Sequence, residues 1–172
     1  MSFRNRCLIA GAQGIISLSV PLKDGRNQQM PMKDVLISDT ENWQARHFKS
    51  IQSAYNRSPF FEYYRDELAA VYQKPFVRLL EWNIHCLNWV KEKLEWTAEI
   101  RFTETAIPFQ AGGIDDRRNL VAPKNYKQWN PVKYRQVFEE RTGFFPNLSV
   151  LDILFNKGRE AGELLRNSNL KI

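Results

Sequence analysis

The stretch FPNLSVLDILFNKG, from Phe145 to Gly158, contains a complete local signal for one helix. Ser149 is a suitable N-cap, and Asp152, three residues on, can reach back to complete a capping box. Leu148 can form a hydrophobic staple with Ile153, and Gly158 supplies a stop. The stretch therefore predicts a capped apolar helix, and capping alone is sufficient to explain Ser149 and Asp152.

Composition is typical of one compact domain. The chain has 172 residues, of which 43% are hydrophobic and 13% aromatic, enough to build a core. It has no signal-peptide pattern and no run of roughly 18 apolar residues that would span a membrane, so we expect a cytoplasmic protein. Cys7 and Cys86 lie far apart without a C-x-x-C motif. They predict reduced, partly buried thiols and neither a zinc site nor a disulfide framework.

The charge balance favours acidic partners. The net charge is +6 and the isoelectric point is about 9.4, which suits nucleotide phosphates, activated sugars, nucleic acid or a membrane surface. The 25 Lys and Arg residues are scattered along the chain, a distribution more typical of a solvated surface than of a nucleic-acid face. We therefore expect an anionic small molecule, such as a nucleotide or an activated sugar, and disfavour nucleic acid.

Alternating apolar residues predict strands early in the chain. A β-hairpin is predicted with strands Arg6–Ala10 and Ile15–Pro21, and further short strands at Lys33–Ser38, Ala98–Thr103 and Val132–Phe138. Several helices separate them. The order predicts an α+β fold, in which a small mixed sheet is packed against helices, with an α/β/α sandwich as the alternative.

The first helix carries a candidate catalytic histidine. It follows the start signal at residues 38–41, and Trp43, His47, Ile51 and Tyr55 recur on one face. His47 is thereby directed inward. One interpretation is a core histidine bonded to backbone; the other is a proton-transfer group or a ligand for a substrate phosphate.

Two more helices are predicted, one from Ser58-Pro59 to Tyr72 and one beginning at Lys74-Pro75. In the second, an apolar seam is interrupted by Asn83. A buried amide needs hydrogen-bond partners. Asn83 is therefore either a polar pin between elements or a substrate-binding group in a cavity, and the pin is favoured. The seam consists of Phe76, Leu80, Asn83, Leu87, Val90 and Leu94.

Polar residues near the start of the chain complete the candidate site. On one strand, Arg4 and Arg6 would project to the same side and could clamp an anion. Alternatively, one or both form structural salt bridges with acids such as Glu62 or Asp152. The candidate substrate-binding residues are Arg4, Asn5, Arg6, Asn83, Tyr134 and Gln136, with Asp152 as an outside candidate.

The segment 105–131 lacks periodicity and contains several Gly, Asp and Arg residues, so we predict a long mobile loop. Adjacent Asp115 and Asp116 there are more typical of a solvated loop than of a cation site, and no metal is predicted. Walker, G-x-G-x-x-G, H-E-x-x-H and G-x-S-x-G motifs are absent from the sequence, which identifies no cofactor.

In order along the chain, several segments resemble motifs of the WbqC-like protein family. Together they span most of the sequence, and their order is more specific than any one of them. The segments are FRNRCLI (3–9), Gly14 followed by LSVP (18–21), Trp43, His47, Ser50-Ile51 and Tyr55, PFFEYY (59–64), LEWN (80–83), YRQVF (134–138) and LSVLDILFNKG (148–158).

The resemblance implies a bacterial protein of cell-surface polysaccharide (O-antigen-type) biosynthesis, acting as a group transferase on an anionic or nucleotide-activated substrate. The alternative is a non-catalytic binding or partner subunit, or a truncated inactive member. Family members usually have a further strand before the Arg-Asn-Arg motif, so we expect a single domain over residues 1–172 that is N-terminally short. An exposed sheet edge left by such shortening would favour a homo-oligomer or a partner protein of glycan biosynthesis.

Overall fold

The structure, a computed structural model, describes residues 3–25, 30–39, 41–102 and 122–168. These residues form two antiparallel strands and six α-helices, which confirms the α+β class. Within them, no helix has the length and apolar character needed to cross a membrane. The elements are β1 (Arg6–Gly11), β2 (Gly14–Ser19), α1 (Trp43–Tyr55), α2 (Phe61–Gln73), α3 (Leu79–Lys93), α4 (Glu139–Thr142), α5 (Val150–Lys157) and α6 (Glu160–Asn167).

The predicted hairpin is confirmed. β1 pairs with β2 from Arg6 opposite Ser19 to Gly11 opposite Gly14. Leu18 and Val20 are buried, whereas Ile16 is 37% exposed. A two-stranded hairpin is marginal by itself, so its stability depends on the helices packed against its buried face.

The other predicted strands are wrong in the described residues. Residues 33–38 contain the end of a 3-10 turn and two isolated bridges, and residues 98–102 and 132–138 form no strand. In residues 132–138, hydrogen bonds of the Gln136 side chain replace the backbone hydrogen bonds that a paired strand would make. Its Nε2 donates to the carbonyl of Phe145 at 2.9 Å, and its Oε1 accepts from the Phe145 N–H at 2.8 Å. Residues 103–121, including Thr103, Asp115, Asp116 and most of the predicted loop, lie outside the described residues.

The helices begin later than predicted. α2 begins at Phe61 because Ser58 directs its hydroxyl back to the carbonyl of Tyr55, 2.7 Å away. α3 begins at Leu79 because the preceding backbone pairs with residues 35–37, with Leu79 N–H donating to Val35 O at 3.0 Å. Leu87 does not belong to a buried seam, since it is 42% exposed.

α5 lies at the centre of the core, and its start and stop are as predicted. Ser149 caps its N-terminus and Gly158 ends it with a φ of 58°. The second half of the predicted capping box is wrong. The Ser149 N–H donates instead to the carbonyl of Leu8 at 2.7 Å, which joins α5 to β1. The Asp152 side chain consequently turns into the core, where it is completely buried.

Candidate functional site

A cavity of about 330 Å³ lies between the hairpin and helices α1, α2, α3 and α5, and we call it the central cavity. Among the described residues that line it, there is no Asp or Glu. The lining combines charged and polar side chains with aliphatic and aromatic ones. Five of the predicted site residues line it: Arg4, Asn5, Arg6, His47 and Asn83.

The two arginines meet at this cavity for a different reason from the predicted one. Arg4 lies in a turn and β1 begins only at Arg6, so strand alternation does not place them. Two amide side chains hold the turn instead. Asn83 Nδ2 donates to the carbonyl of Arg4 at 2.8 Å, and Asn5 Nδ2 donates to the carbonyl of Val20 at 2.9 Å. Asn83 therefore connects α3 to the turn at Arg4 by a partly buried hydrogen bond, as favoured from the sequence, and it also lines the cavity.

Neither acid proposed as a salt-bridge partner pairs with these arginines. Glu62 pairs with Arg65 at 2.5 Å, and Asp152 accepts hydrogen bonds from other buried side chains. Arg4 and Arg6 are each half-buried. For Arg6, a half-buried guanidinium on a cavity whose described lining contains no carboxylate favours an anionic ligand.

His47 is buried, with 8% of its surface exposed. Its Nε2 lies 3.1 Å from the carbonyl of Ser19; a carbonyl only accepts, so Nε2 carries the proton. Burial lowers the pKa of His47, while the Ser19 contact raises it and Arg46 lowers it further. The imidazole is therefore neutral near pH 7 and holds its lone pair on Nδ1. Its ring packs edge-on against Trp43, with centroids 5.1 Å apart.

The two cysteines both line the central cavity, which their separation in sequence could not show. Both are free and half-buried, as predicted. Burial raises the pKa of Cys7 to about 11 and that of Cys86 to about 12. Each remains a thiol at neutral pH, and a thiol is a weak nucleophile. They contribute to the wall of the cavity and supply no thiolate.

Tyr134, Gln136 and Asp152 are not among the residues that line the central cavity. They form a buried network with Tyr55: Asp152 Oδ1 accepts from the Tyr55 hydroxyl at 2.6 Å, and Oδ2 accepts from Tyr134 at 2.7 Å and from Gln136 at 3.0 Å. Burial raises the pKa of Asp152, although these three hydrogen bonds lower it. The network connects α1, α5 and the segment before α4, which is a structural role.

The apolar walls were missed by sequence reasoning. Leu68 and Tyr72 on α2 and Trp89 on α3 have ordinary helical core spacing, so no sequence signal separates a cavity wall from a packed core. Trp89 is 8% exposed, and its indole N–H has no acceptor among the described residues. A buried indole N–H normally has one. Because this N–H has almost no accessible surface, it is enclosed by the wall and is not offered to a molecule in the cavity.

A second cavity of about 310 Å³ shares Phe3, Arg6, Cys7 and Ser149 with the central one. Its other walls include Trp129. Tyr134 instead lines a shallow site beside Lys133 and Phe144. Among the described residues, no three His, Cys, Asp or Glu side chains come together in a way that could hold a metal ion.

Comparison with known proteins gives one family and one distant relative. A model of the WbqC-like protein family matches residues 1–121. An uncharacterized protein of Mycobacterium tuberculosis, Rv1507c, is 25% identical over 189 aligned positions, which cover 95% of this chain and 81% of the relative. No solved structure matches the chain.

Proposed function

We propose that this chain, which belongs to the WbqC-like protein family, binds an anionic small molecule in the central cavity and transfers a group from it in cell-surface polysaccharide biosynthesis. The observation that carries the proposal is the placement of Arg6, with Arg4 close by in sequence, on a cavity whose described lining contains no carboxylate. Guanidinium groups bind the paired oxygens of a phosphate or carboxylate.

The start of α5 adds to this preference for negative charge. Ser149, Val150 and Leu151 line the central cavity, and they form the N-cap and first turn of the helix. The N-terminus of a helix carries a partial positive charge from its aligned peptide dipoles. The arginines and the helix end therefore act in the same direction on a bound anion.

His47 is the proposed proton acceptor. In a transfer, a hydroxyl or amine of the acceptor molecule attacks the electrophilic atom of the donor. The bond to the leaving group then breaks, and the leaving group takes the electron pair. The proton lost by the attacking group passes to Nδ1 of His47, since Nε2 is held by Ser19. The lowered pKa keeps that nitrogen unprotonated at neutral pH.

A non-catalytic binding subunit is the second candidate. It is favoured by the structural use of the predicted polar residues: Asn5 and Asn83 hold backbone, and Asp152 is enclosed by its network. Such a subunit would use the same anion site without proton transfer. Its working form would be a homo-oligomer or a complex with a glycan-biosynthesis protein.

Anion binding is tested by thermal shift. The purified chain is screened against nucleotides, nucleotide sugars, coenzyme A thioesters and amino acids. A ligand at 100 times its Kd should stabilise the protein by about 2.7 kcal/mol. We expect one class to stabilise it, and Arg4→Gln and Arg6→Gln to abolish that shift. The matched control is Arg101→Gln, because the Arg101 side chain is 82% exposed and outside the cavity. The proposal fails if no class shifts the melting temperature, or if the shift persists in both cavity variants.

Catalysis is tested separately by complementation. A strain that lacks the gene and its polysaccharide should not be rescued by His47→Gln, provided that the purified variant melts cooperatively and still binds the anion. Lys49→Gln is the neighbouring control, since its side chain is exposed on the same helix and does not line the cavity. Full rescue by His47→Gln would remove the catalytic role and favour the binding subunit.

A further inference from the structure

The walls of the central cavity limit what kind of anion it can hold. Apart from its charged and polar side chains, the lining consists mainly of hydrocarbon, including Leu68 and Val71 of α2 and Val90 of α3. A sugar ring in such a place would bury hydroxyl groups without hydrogen-bond partners, which is costly. A volume of about 330 Å³ also lies at the lower end of the range for ligand sites, roughly 300–1,000 Å³. A whole nucleotide sugar is therefore a poor match.

The polar and apolar parts of the cavity are arranged along α3. Asn83 marks the polar end, because its side chain holds the carbonyl of Arg4 at 2.8 Å. Cys86, Leu87 and Val90 follow on the same side of the helix and also line the cavity. At 1.5 Å per residue, the seven steps from Asn83 to Val90 extend about 10 Å. Leu87 is 42% exposed, so the cavity reaches the surface on this side.

We infer that the ligand of the central cavity is amphipathic: an anionic head group at Arg4 and Arg6, joined to a short hydrocarbon chain of the acyl type that lies along α3. The inference rests on the anion site of the proposed function and specifies its substrate class. The head group can be a carboxylate or a phosphate, since a guanidinium binds both. In a transferase, the chain would be the apolar part of the donor.

The chain is tested with a series of straight-chain carboxylates at constant ionic strength. Acetate, butyrate, hexanoate and octanoate are titrated calorimetrically, below the concentration at which they form micelles. Burial of methylene groups predicts affinity that rises roughly tenfold for every two methylenes added. The gain should stop once the chain is longer than the slot. Octyl phosphate and inorganic phosphate form the second arm. The tighter binder of octanoate and octyl phosphate identifies the head group as a carboxylate or a phosphate. Either result supports the inference.

Two variants locate the chain. Val90→Phe fills the far end of the slot and should abolish the gain with chain length while leaving the affinity for inorganic phosphate unchanged. Val77→Phe is the matched control, because Val77 is 68% exposed and outside the cavity. Leu87→Trp narrows the cavity at an exposed position and gives the same test if Val90→Phe does not fold.

The outcomes separate this inference from the proposed function. Equal affinity for acetate and octanoate overturns the inference and leaves the anion site intact. A chain-length gain that persists in both Val90→Phe and Leu87→Trp also overturns it. If Arg4→Gln and Arg6→Gln leave the affinity for every carboxylate unchanged, the gain with chain length supports the apolar slot and the anion site is refuted; a lower affinity at every chain length with the same gain supports both. No binding of any compound overturns the inference, whereas the proposed function is still decided by the thermal-shift screen.

Discussion

The hydroxyl of Tyr55 connects the hairpin to the buried carboxylate of Asp152, and its removal is a sharp test of the fold. Its oxygen accepts from the N–H of Ala10 at 3.1 Å, and its O–H donates to Asp152 Oδ1 at 2.6 Å. In Tyr55→Phe, the ring keeps its packing against Phe155, with centroids 5.1 Å apart. The substitution therefore removes two hydrogen bonds and little else.

The cost follows from what is left unpaired. A buried N–H without an acceptor costs about 1–3 kcal/mol, and a hydrogen bond to a charged group contributes about 1.5–3 kcal/mol. Ala10 is completely buried, so water does not replace the lost acceptor. Asp152 keeps its donors Tyr134 and Gln136, so we take the lower end of the range for its lost hydrogen bond to Tyr55. We expect Tyr55→Phe to lower the free energy of unfolding by about 3 kcal/mol.

The assay is urea unfolding at pH 7, with Tyr64→Phe as the matched control. Tyr64 is 2% exposed and also packs against Phe155, with centroids 6.3 Å apart. Its hydroxyl has no hydrogen bond within the described part of the chain. The control should differ from the natural protein by about 0.5 kcal/mol or less. Equal losses in the two variants, or a Tyr55→Phe protein as stable as the natural one, would refute the role of the network.

Three further predictions concern other buried groups. Burial raises the pKa of Asp152 above its ordinary value of 3.8, so the folded protein holds the protonated carboxyl more tightly than the unfolded chain does. The stability that this provides is complete below pH 3.8 and is lost as the pH rises through the raised pKa. The free energy of unfolding of the natural protein relative to Asp152→Asn, measured in urea, should therefore decrease as the pH rises. Gly158→Ala should cost about 1–3 kcal/mol in thermal unfolding, because its φ is 58° and a Cβ would lie 2.7 Å from the ring of Phe60. Cys7 and Cys86, with pKa values raised to about 11 and 12, should react with a thiol reagent at pH 8 far more slowly in the folded protein than in urea.

Each of the three has a result that would contradict it. For Asp152, the contradicting result is that the free energy of unfolding of the natural protein, relative to Asp152→Asn, increases with pH. For Gly158, the control is Gly143→Ala, which has a φ of 74° and nothing within 4 Å of a Cβ; an equal loss at both sites would exclude the contact with Phe60. For the cysteines, it is immediate labelling of the folded chain.

Local signals predicted the elements that depend on few residues, and long-range contacts overrode the others. The hairpin and the two ends of α5 followed from turn and cap residues. Asp152 had the spacing of a capping residue, but Tyr55, 97 positions away in sequence, provides a stronger partner. Likewise, the alternation around Gln136 suggested a strand, whereas its amide pairs with the backbone of Phe145 instead.

The candidate site was predictable where polar residues interrupt apolar patterns. His47 and Asn83 were identified in this way, and both line the cavity beside Arg4 and Arg6. The apolar wall was not predictable, because residues such as Trp89 have the same helical spacing whether they face a cavity or a packed core. Only the packing of four helices against the hairpin distinguishes the two cases.

The most direct test of the anion site follows the tryptophan indole N–H signals of the ¹⁵N-labelled protein by NMR, during separate titrations with octanoate and inorganic phosphate. Trp82 and Trp89 line the central cavity, whereas Trp129 lines the second one. We predict saturable shifts of the Trp82 and Trp89 signals with at least one of the two anions, lost in Arg6→Gln and kept in Arg101→Gln. Shifts confined to Trp129, or no saturable shift with either anion, would contradict this prediction.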